Sequence, residues 1–337
     1  MIKLKMIDLE KILKDEPKYR LTQCYQAIFS DLIADWKDAT SLPVPLRNKL
    51  SENFSLNVEV TFFDSKNKKT VKALIELGDG QKIETVLMRH DNRNTVCVSS
   101  QVGCALGCKF CATGQMGLKR DLSDWEMVLQ VLIFSRRLKL EKDGSARIGN
   151  VVFMGMGEPF LNYENVMGAI RILNSESGLN IGARHISVST AGIIEGIEKM
   201  TDEEMQINLA VSLHAPDDEL RKKLMPIASQ YSIESILEAV DKYIKKTGRK
   251  VMFEYLLIDG VNDENKHAQA LARLMRRKLY VLNLIPCNPV GRYRPSPSIK
   301  IEKFKNILEK RGVSVTQRFR FGHDIHGACG QLAGKQY

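Results

Sequence analysis

From about residue 95 onward the chain repeats one unit: a short apolar run of strand length, a loop, then an amphipathic stretch of helical period. The apolar runs fall at residues 95–99, 150–154, 185–190, 206–213, 250–257, 280–285 and 313–316. Helical stretches lie between most of them. One spans residues 125–140 behind a capping box of Ser123 and Glu126, and another spans 233–246 with Ile236, Leu237, Val240 and Ile244 on one face. Strands and helices alternating at this length predict an α/β fold with a parallel sheet, either open or curled into a partial or full barrel. The front of the chain differs. Residues 1–50 read as helices, with Tyr25, Ile28, Phe29 and Leu32 at helical spacing before the break at Pro43 and Pro45. Alternation then takes over in Val58, Val60 and Phe62, and again in Val71, Ala73, Ile75 and Leu77, with a turn at Asp79-Gly80. The expected division is a helical domain over 1–52, a small β segment or linker over 53–90, and an α/β core over 91–337.

In parallel α/β folds the working residues follow the C-terminal ends of the strands. Here a cysteine cluster follows the first such run, and Gly155-Met156-Gly157-Glu158-Pro159 follows the second. Ser189 ends the third, Ser212 and His214 end the fourth, and Asn288 follows the run that closes at Ile285. The cluster, Cys104, Cys108 and Cys111, has C-x₃-C-x₂-C spacing. Three thiolates on one short loop suit three irons of a [4Fe–4S] cluster and leave the fourth iron open to an exogenous ligand. Structural zinc would ordinarily show two C-x₂-C knuckles, and only Cys108 and Cys111 form one. Cys97 is available as a fourth ligand, to zinc or to a closed cluster.

Composition narrows the setting. Of 337 residues 44% are hydrophobic, enough for a full core, and no uncharged apolar run approaches the roughly 18 residues of a membrane helix. The charged start, Met1-Ile2-Lys3-Leu4-Lys5, does not read as a secretion signal. Seven cysteines in such a chain point to a reducing, cytoplasmic setting and to metal or redox chemistry before structural disulfides. The formal charge of +10 favours a polyanionic partner.

With Phe110 before its last cysteine, the cluster resembles the signature of radical S-adenosylmethionine enzymes, which implies a partial (β/α)6-type barrel with S-adenosylmethionine at the open iron. Four further segments, Cys97 to Cys104, Met154 to Pro159, Leu224-Met225-Pro226-Ile227 and Gly322 to Leu332, resemble the adenine-C2 RNA methyltransferases over nearly the whole chain. Such enzymes act on an adenine of 23S ribosomal RNA and on the adenine 3′ of a tRNA anticodon. The resemblance implies that Cys329 carries the methyl group as S-methylcysteine, that Cys97 releases the RNA by forming a transient disulfide, and that Glu84 takes the C2 proton. It implies cofactor contacts at Gly157, Glu158, Ser189, Ser212, Leu213, His214 and Asn288, cluster ligands at Cys104, Cys108 and Cys111, and two S-adenosylmethionine molecules per turnover. An electron donor such as flavodoxin or ferredoxin, an RNA-binding role for the helical front and a monomeric state are also expected.

Lys119-Arg120, Arg136-Arg137, Lys245-Lys246 and Arg276-Arg277-Lys278 can contact phosphates, though most such pairs are solvated helix faces; Arg292-Tyr293-Arg294 is singled out as an RNA contact, with Tyr293 able to stack on a base. Cys24 and Cys287 read as structural. His326 and Gly327 depart from the family pattern, as does Cys287, while Asp324 and Cys329 keep it. A sister branch methylates C8 of the same ribosomal adenine, and Pro159 and Pro286 favour C2 over it. The alternative from another class is a zinc-stapled RNA-binding protein.

Overall fold

A computed structural model describes residues 6–91, 93–141, 147–318 and 322–334. Residues 1–5, which open the stretch read for a secretion signal, lie outside them. The chain begins with helices α1 (Met6–Ile12), α2 (Tyr19–Tyr25) and α3 (Val44–Asn53). Their apolar residues, among them Leu9, Cys24 and Leu50, are fully buried in the same core as the rest of the molecule. Trp36 fixes the seat: its indole N–H donates to the carbonyl of Phe54 at 2.6 Å, and the Phe54 ring packs on Trp125 at 4.9 Å between centroids. A buried indole needs such a partner for its polar end.

Strands β1 (Glu59–Asp64), β2 (Thr70–Glu76) and β3 (Lys82–His90) form the antiparallel meander expected from the alternating pattern. It is more than a linker. β3 pairs antiparallel with β4 (Arg93–Cys97), and β4 pairs parallel with β7 (Ile148–Phe153), so the meander extends the main sheet. The reason is burial: nearly every residue of β2 is covered, which an isolated hairpin cannot achieve. Between β4 and β7 lie β5 (Gln101–Cys104), β6 (Gly117–Asp121) and helix α4 (Asp124–Lys139), the last opened by the Ser123–Glu126 capping box.

The parallel part continues through α5 (Tyr163–Asn174), β8 (Ile186–Thr190), α6 (Ile194–Thr201), β9 (Asn208–Ser212), α7 (Asp218–Leu224) and α8 (Ile233–Thr247). It closes with β10 (Val251–Leu257), α9 (Asn265–Leu274), β11 (Tyr280–Pro286), α10 (Ser298–Lys310) and a short β12 (Val315–Gln317). Sheet order is β1-β2-β3-β4-β7-β8-β9-β10-β11-β12, with every neighbouring pair from β4 to β12 parallel. That is six strand–helix units plus a seventh parallel strand. Among the described residues no helix is long and apolar enough to cross a membrane.

The two-stranded β5–β6 ribbon has no counterpart in the periodicity. It brackets the cysteine loop, and Gly103 makes it possible: φ is +76° there, and a Cβ would lie 1.9 Å from the carbonyl oxygen of Gly117.

Candidate active site

Cys104 ends β5, and Cys108 and Cys111 lie on the loop between β5 and β6, beyond the C-terminal end of β4. A second apolar cluster walls this loop: Leu106 and Phe110 pack with Leu224, Met225, Leu256 and Tyr293. The amide of Lys109 donates to the carbonyl of Leu224 at 2.9 Å, tying the loop to the segment that opens Leu224-Met225-Pro226-Ile227. Cys104, Cys108 and Cys111 line one cavity of about 170 Å³ together with Gly157, Glu158, Ser189, Ser212, His214 and Asn288. Burial pushes the Cys104 thiol up to about 12 and Cys108 higher still, so metal must displace protons to bind here. Among the described residues no three His, Cys, Asp or Glu are placed to hold a single metal ion; the thiols ring a shared space instead.

Glu158, His214 and Asn288 are each held from behind. The turn at Gly157 (φ +99°) packs so closely on Gln101 that a Cβ would sit 2.6 Å from the Gln101 Cβ. Gln101 Oε1 in turn accepts the Glu158 amide at 2.8 Å. The Glu158 carboxylate accepts the amides of Phe160 at 3.1 Å and Ala191 at 2.7 Å; burial, against these bonds, raises it to about 7. His214 Nδ1 accepts the Leu256 amide at 3.1 Å, which leaves Nε2 to carry the proton of the neutral ring. Asn288 donates to the carbonyl of Cys329 at 3.1 Å, and its Oδ1 is buried with no hydrogen-bond partner among the described residues. Leu213 is the exception among the expected contacts. Its side chain is buried in the main core, and it does not line the cavity, although Ser212 and His214 on either side of it do.

A cluster with an amino-acid-bearing nucleoside ligand fits this donor set. The thiols face one space, Glu158 is a carboxylate positioned for an ammonium group, and the Asn288 oxygen lacks a donor.

Next to this cavity lies a larger one of about 510 Å³ inside the barrel. Cys97, at the end of β4, and Cys329, on the C-terminal loop, both line it, and Cys329 lines both cavities. Burial pushes the Cys97 thiol up to about 12, with Cys329 adding to the rise and Arg318 opposing it. The Cys329 loop is fastened on every side: Gly330 O accepts the Ala112 amide at 2.7 Å, and Leu332 O accepts the Thr113 hydroxyl at 2.6 Å. Asp324 accepts the Lys66 amide at 2.9 Å.

Glu84 does not reach either cavity. Its carboxylate pairs with Lys72 at 2.8 Å, both side chains being essentially unexposed, and its other oxygen accepts the amides of Ala333 at 2.6 Å and Gly334 at 3.1 Å. In this structure the carboxylate expected as a base is a tether for the C-terminal loop. Tyr293 also departs from expectation. At 7% exposure it belongs to the apolar wall of the cysteine loop and cannot stack on a base. Four of the cations expected at phosphates are engaged within the protein: Arg120 with Asp79 and Glu126, Arg137 with Asp64, Lys246 with Asp202 and Arg277 with Asp241.

Two arginines escaped the sequence reading. Arg221 is fully buried, and its guanidinium donates to the carbonyls of Ala191, Ser212, Leu213 and Tyr231, pinning the ends of β8 and β9. Arg318 follows β12 and lines both cavities. The run of basic residues around them carries no pattern that would have singled them out.

Residues 98–271 match the Radical SAM superfamily. A probable dual-specificity RNA methyltransferase RlmN of Dictyoglomus thermophilum is 48% identical over 319 residues, 94% of this chain and 91% of its own length. The protein of the same name from Geobacillus kaustophilus is 47% identical over 328 residues, 96% of this chain and 89% of its own. The crystal structure of a radical SAM methyltransferase from Sphaerobacter thermophilus superposes with a TM-score of 0.94 at 44% identity, covering 99% of this chain and 98% of that one.

Proposed function

This chain belongs to the dual-specificity RNA methyltransferase family of the radical S-adenosylmethionine superfamily, and from that premise we propose that it methylates C2 of an adenine in 23S ribosomal RNA and of the adenine 3′ of a tRNA anticodon. The observation that carries this reading is the pairing of Cys97 with Cys329 in one cavity that adjoins the cysteine-lined one. Direct attack by a nucleophilic atom of the RNA on the cofactor's methyl group would need no thiols beyond the three that face the smaller cavity. C2 of adenine, an electron-poor carbon between two ring nitrogens, does.

A [4Fe–4S] cluster on Cys104, Cys108 and Cys111, with S-adenosylmethionine at its open iron, supplies one-electron reduction and hydrogen-abstracting radical chemistry when bound. The protein's own groups do the rest. Glu158 holds an ammonium group, which offsets its burial and keeps it ionised; His214 offers its Nε2 proton, and Asn288 Oδ1 takes a donor. Ser189 and Ser212 supply hydroxyls at the strand ends. Cys329 carries the methyl group as a thioether and becomes joined through that carbon to C2. Cys97 attacks the Cys329 sulfur, leaving a disulfide and freeing the methylated RNA. Two S-adenosylmethionine molecules are used per turnover, and a one-electron donor protein of the flavodoxin or ferredoxin type restores the cluster. Pro159 and Pro286, which line the two cavities, support C2 over C8.

Glu84 serves as base only if the Ala333–Gly334 segment lifts and Lys72 releases it. The target adenine must leave its stack to enter the barrel. The test is to map modified adenosines in both RNAs from cells carrying Cys329→Ala or Cys97→Ala. Cys329→Ala abolishes C2 methylation, and Cys97→Ala accumulates protein covalently bound to RNA. Methylation that persisted in Cys329→Ala would overturn the reading.

A further inference from the structure

Arg318 occupies the boundary between the two cavities and touches the sulfur on which the reaction turns. Its Nη1 donates to Cys329 Sγ at 3.4 Å. Its Nη2 donates to Glu254 Oε1 at 3.3 Å and approaches Met154 Sδ at 3.6 Å. The acid behind it is fixed: Glu254 is buried in β10, its second oxygen accepts Asn283 Nδ2 at 2.8 Å, and Asn283 Oδ1 accepts the Thr316 hydroxyl at 3.0 Å. A guanidinium held this way presents one edge to the acid and the other to the sulfur, a use of the planar fork that a lysine cannot copy in full. The charged or titratable groups around Cys329 are Arg318 itself and Glu254 behind it, Cys97, His90 and Arg93 along the larger cavity, and Cys104, Cys108, Cys111, Glu158 and His214 along the smaller one.

We propose that Arg318 is a catalytic residue for the methyl-acceptance step, donating to the sulfur of Cys329 and stabilising it as thiolate. This rests on the reading of Cys329 as methyl carrier. The Cys329 thiol, which is exposed, gives its proton to solvent. The thiolate's electron pair forms the new sulfur–carbon bond to the sulfonium methyl group of S-adenosylmethionine. The old carbon–sulfur bond breaks with its pair returning to that sulfur, which leaves as a neutral thioether. Nothing is oxidised or reduced, and Arg318 keeps its proton throughout. Once the thioether forms, no anion remains for Arg318 to hold, so its contribution is confined to the nucleophilic step.

The test reads thiol reactivity instead of turnover. Protein made in iron-starved cells and reconstituted with iron and sulfide, with Cys329 confirmed free by peptide mass, is treated with iodoacetamide at one fixed pH. The rate of carbamidomethylation at Cys329 is then followed by mass spectrometry. Arg318→Met is expected to slow that rate roughly fourfold, because the sulfur loses the positively charged donor beside it, with the greater nucleophilicity of an unpaired thiolate offsetting part of the loss. Arg318→Lys, which keeps the charge, recovers part or all of the rate. Arg318→Gln stands in for the Met variant should that variant fail to fold or to hold iron. A neutral variant that reacts at the wild-type rate or faster overturns the proposal, as does a Lys variant as slow as the neutral one. Retained RNA methylation in Cys329→Ala would remove the carrier reading while leaving the alkylation result standing, so the two failures are distinguishable.

Discussion

His214 shows how a single side chain can link cavity geometry to the pH behaviour of the whole protein. Its backbone is left-handed at φ +58°, its ring meets Phe110 edge-on at 4.9 Å, and its Nδ1 accepts the Leu256 amide. Burial, with the positive charge of Arg221 second, lowers its pKa to about 3. The folded value lies below the unfolded one, so between them the unfolded chain holds the extra proton. The stability that goes with the neutral ring is therefore present above about pH 6.5 and lost as pH falls toward about 3. Glu158 has the opposite sign. Burial raises it to about 7, so the folded chain holds the extra proton above about 4.5, and stability is lost as pH rises through about 7. The two effects oppose each other in mildly acidic solution, and a variant is needed to separate them. Urea unfolding of His214→Gln is expected to lose less stability than wild type on acidification from about pH 6.5 to about pH 4. A gap between the two proteins that did not change with pH would reject the assignment.

At the scale of elements, the seven parallel strands were legible because each is an apolar run set off by turn residues, and the helices because their apolar faces recur at helical period. The β5–β6 ribbon was not legible. Gln101–Cys104 has only four residues, and Gly103 breaks any alternation. Its existence rests on a close backbone approach that no local pattern encodes. Gly103→Ala is expected to destabilise the protein by about 3 kcal/mol and to lower its bound iron, since the added methyl meets backbone at a strained φ. Gly80→Ala has a similar φ of +78° with nothing within 4 Å, so it should cost about 1 kcal/mol and leave iron content unchanged. Chemical denaturation and iron analysis of the two variants check the contrast.

For the whole molecule the telling feature is the route from the front of the chain to its end. The meander β1–β3 pairs with the barrel through β4, and from its interior the Lys72–Glu84 pair holds the amides of Ala333 and Gly334. Asp324 and Lys66 make a second link. The helical front and the β segment, which the sequence divides from the core, thus share one hydrophobic core with it, and the segment helps to hold the loop bearing Cys329. Removing one partner of a buried ion pair leaves the other uncompensated. Lys72→Met is expected to cost about 3–5 kcal/mol and to speed hydrogen exchange at Ala333 and Gly334. Exchange at these two amides that stayed at the wild-type rate would show that Glu84 does not hold them.

By itself the sequence determined the strand and helix alternation, the rim onto which the polar residues fall, and the three-cysteine loop with its family. All of these are properties of short segments: period, spacing and contiguous motif. Tertiary structure alone decided the roles that depend on what lies across the fold. Tyr293 is drawn into an apolar wall, Glu84 is turned from the cavity to the C-terminal loop, Arg221 is buried against four carbonyls, and Arg318 is brought to the sulfur of Cys329. The physical reason is the same in each case. A charge or an aromatic ring takes its role from the partners that packing brings within hydrogen-bond or van der Waals reach, and those partners are separated from it in sequence by as many as 250 positions.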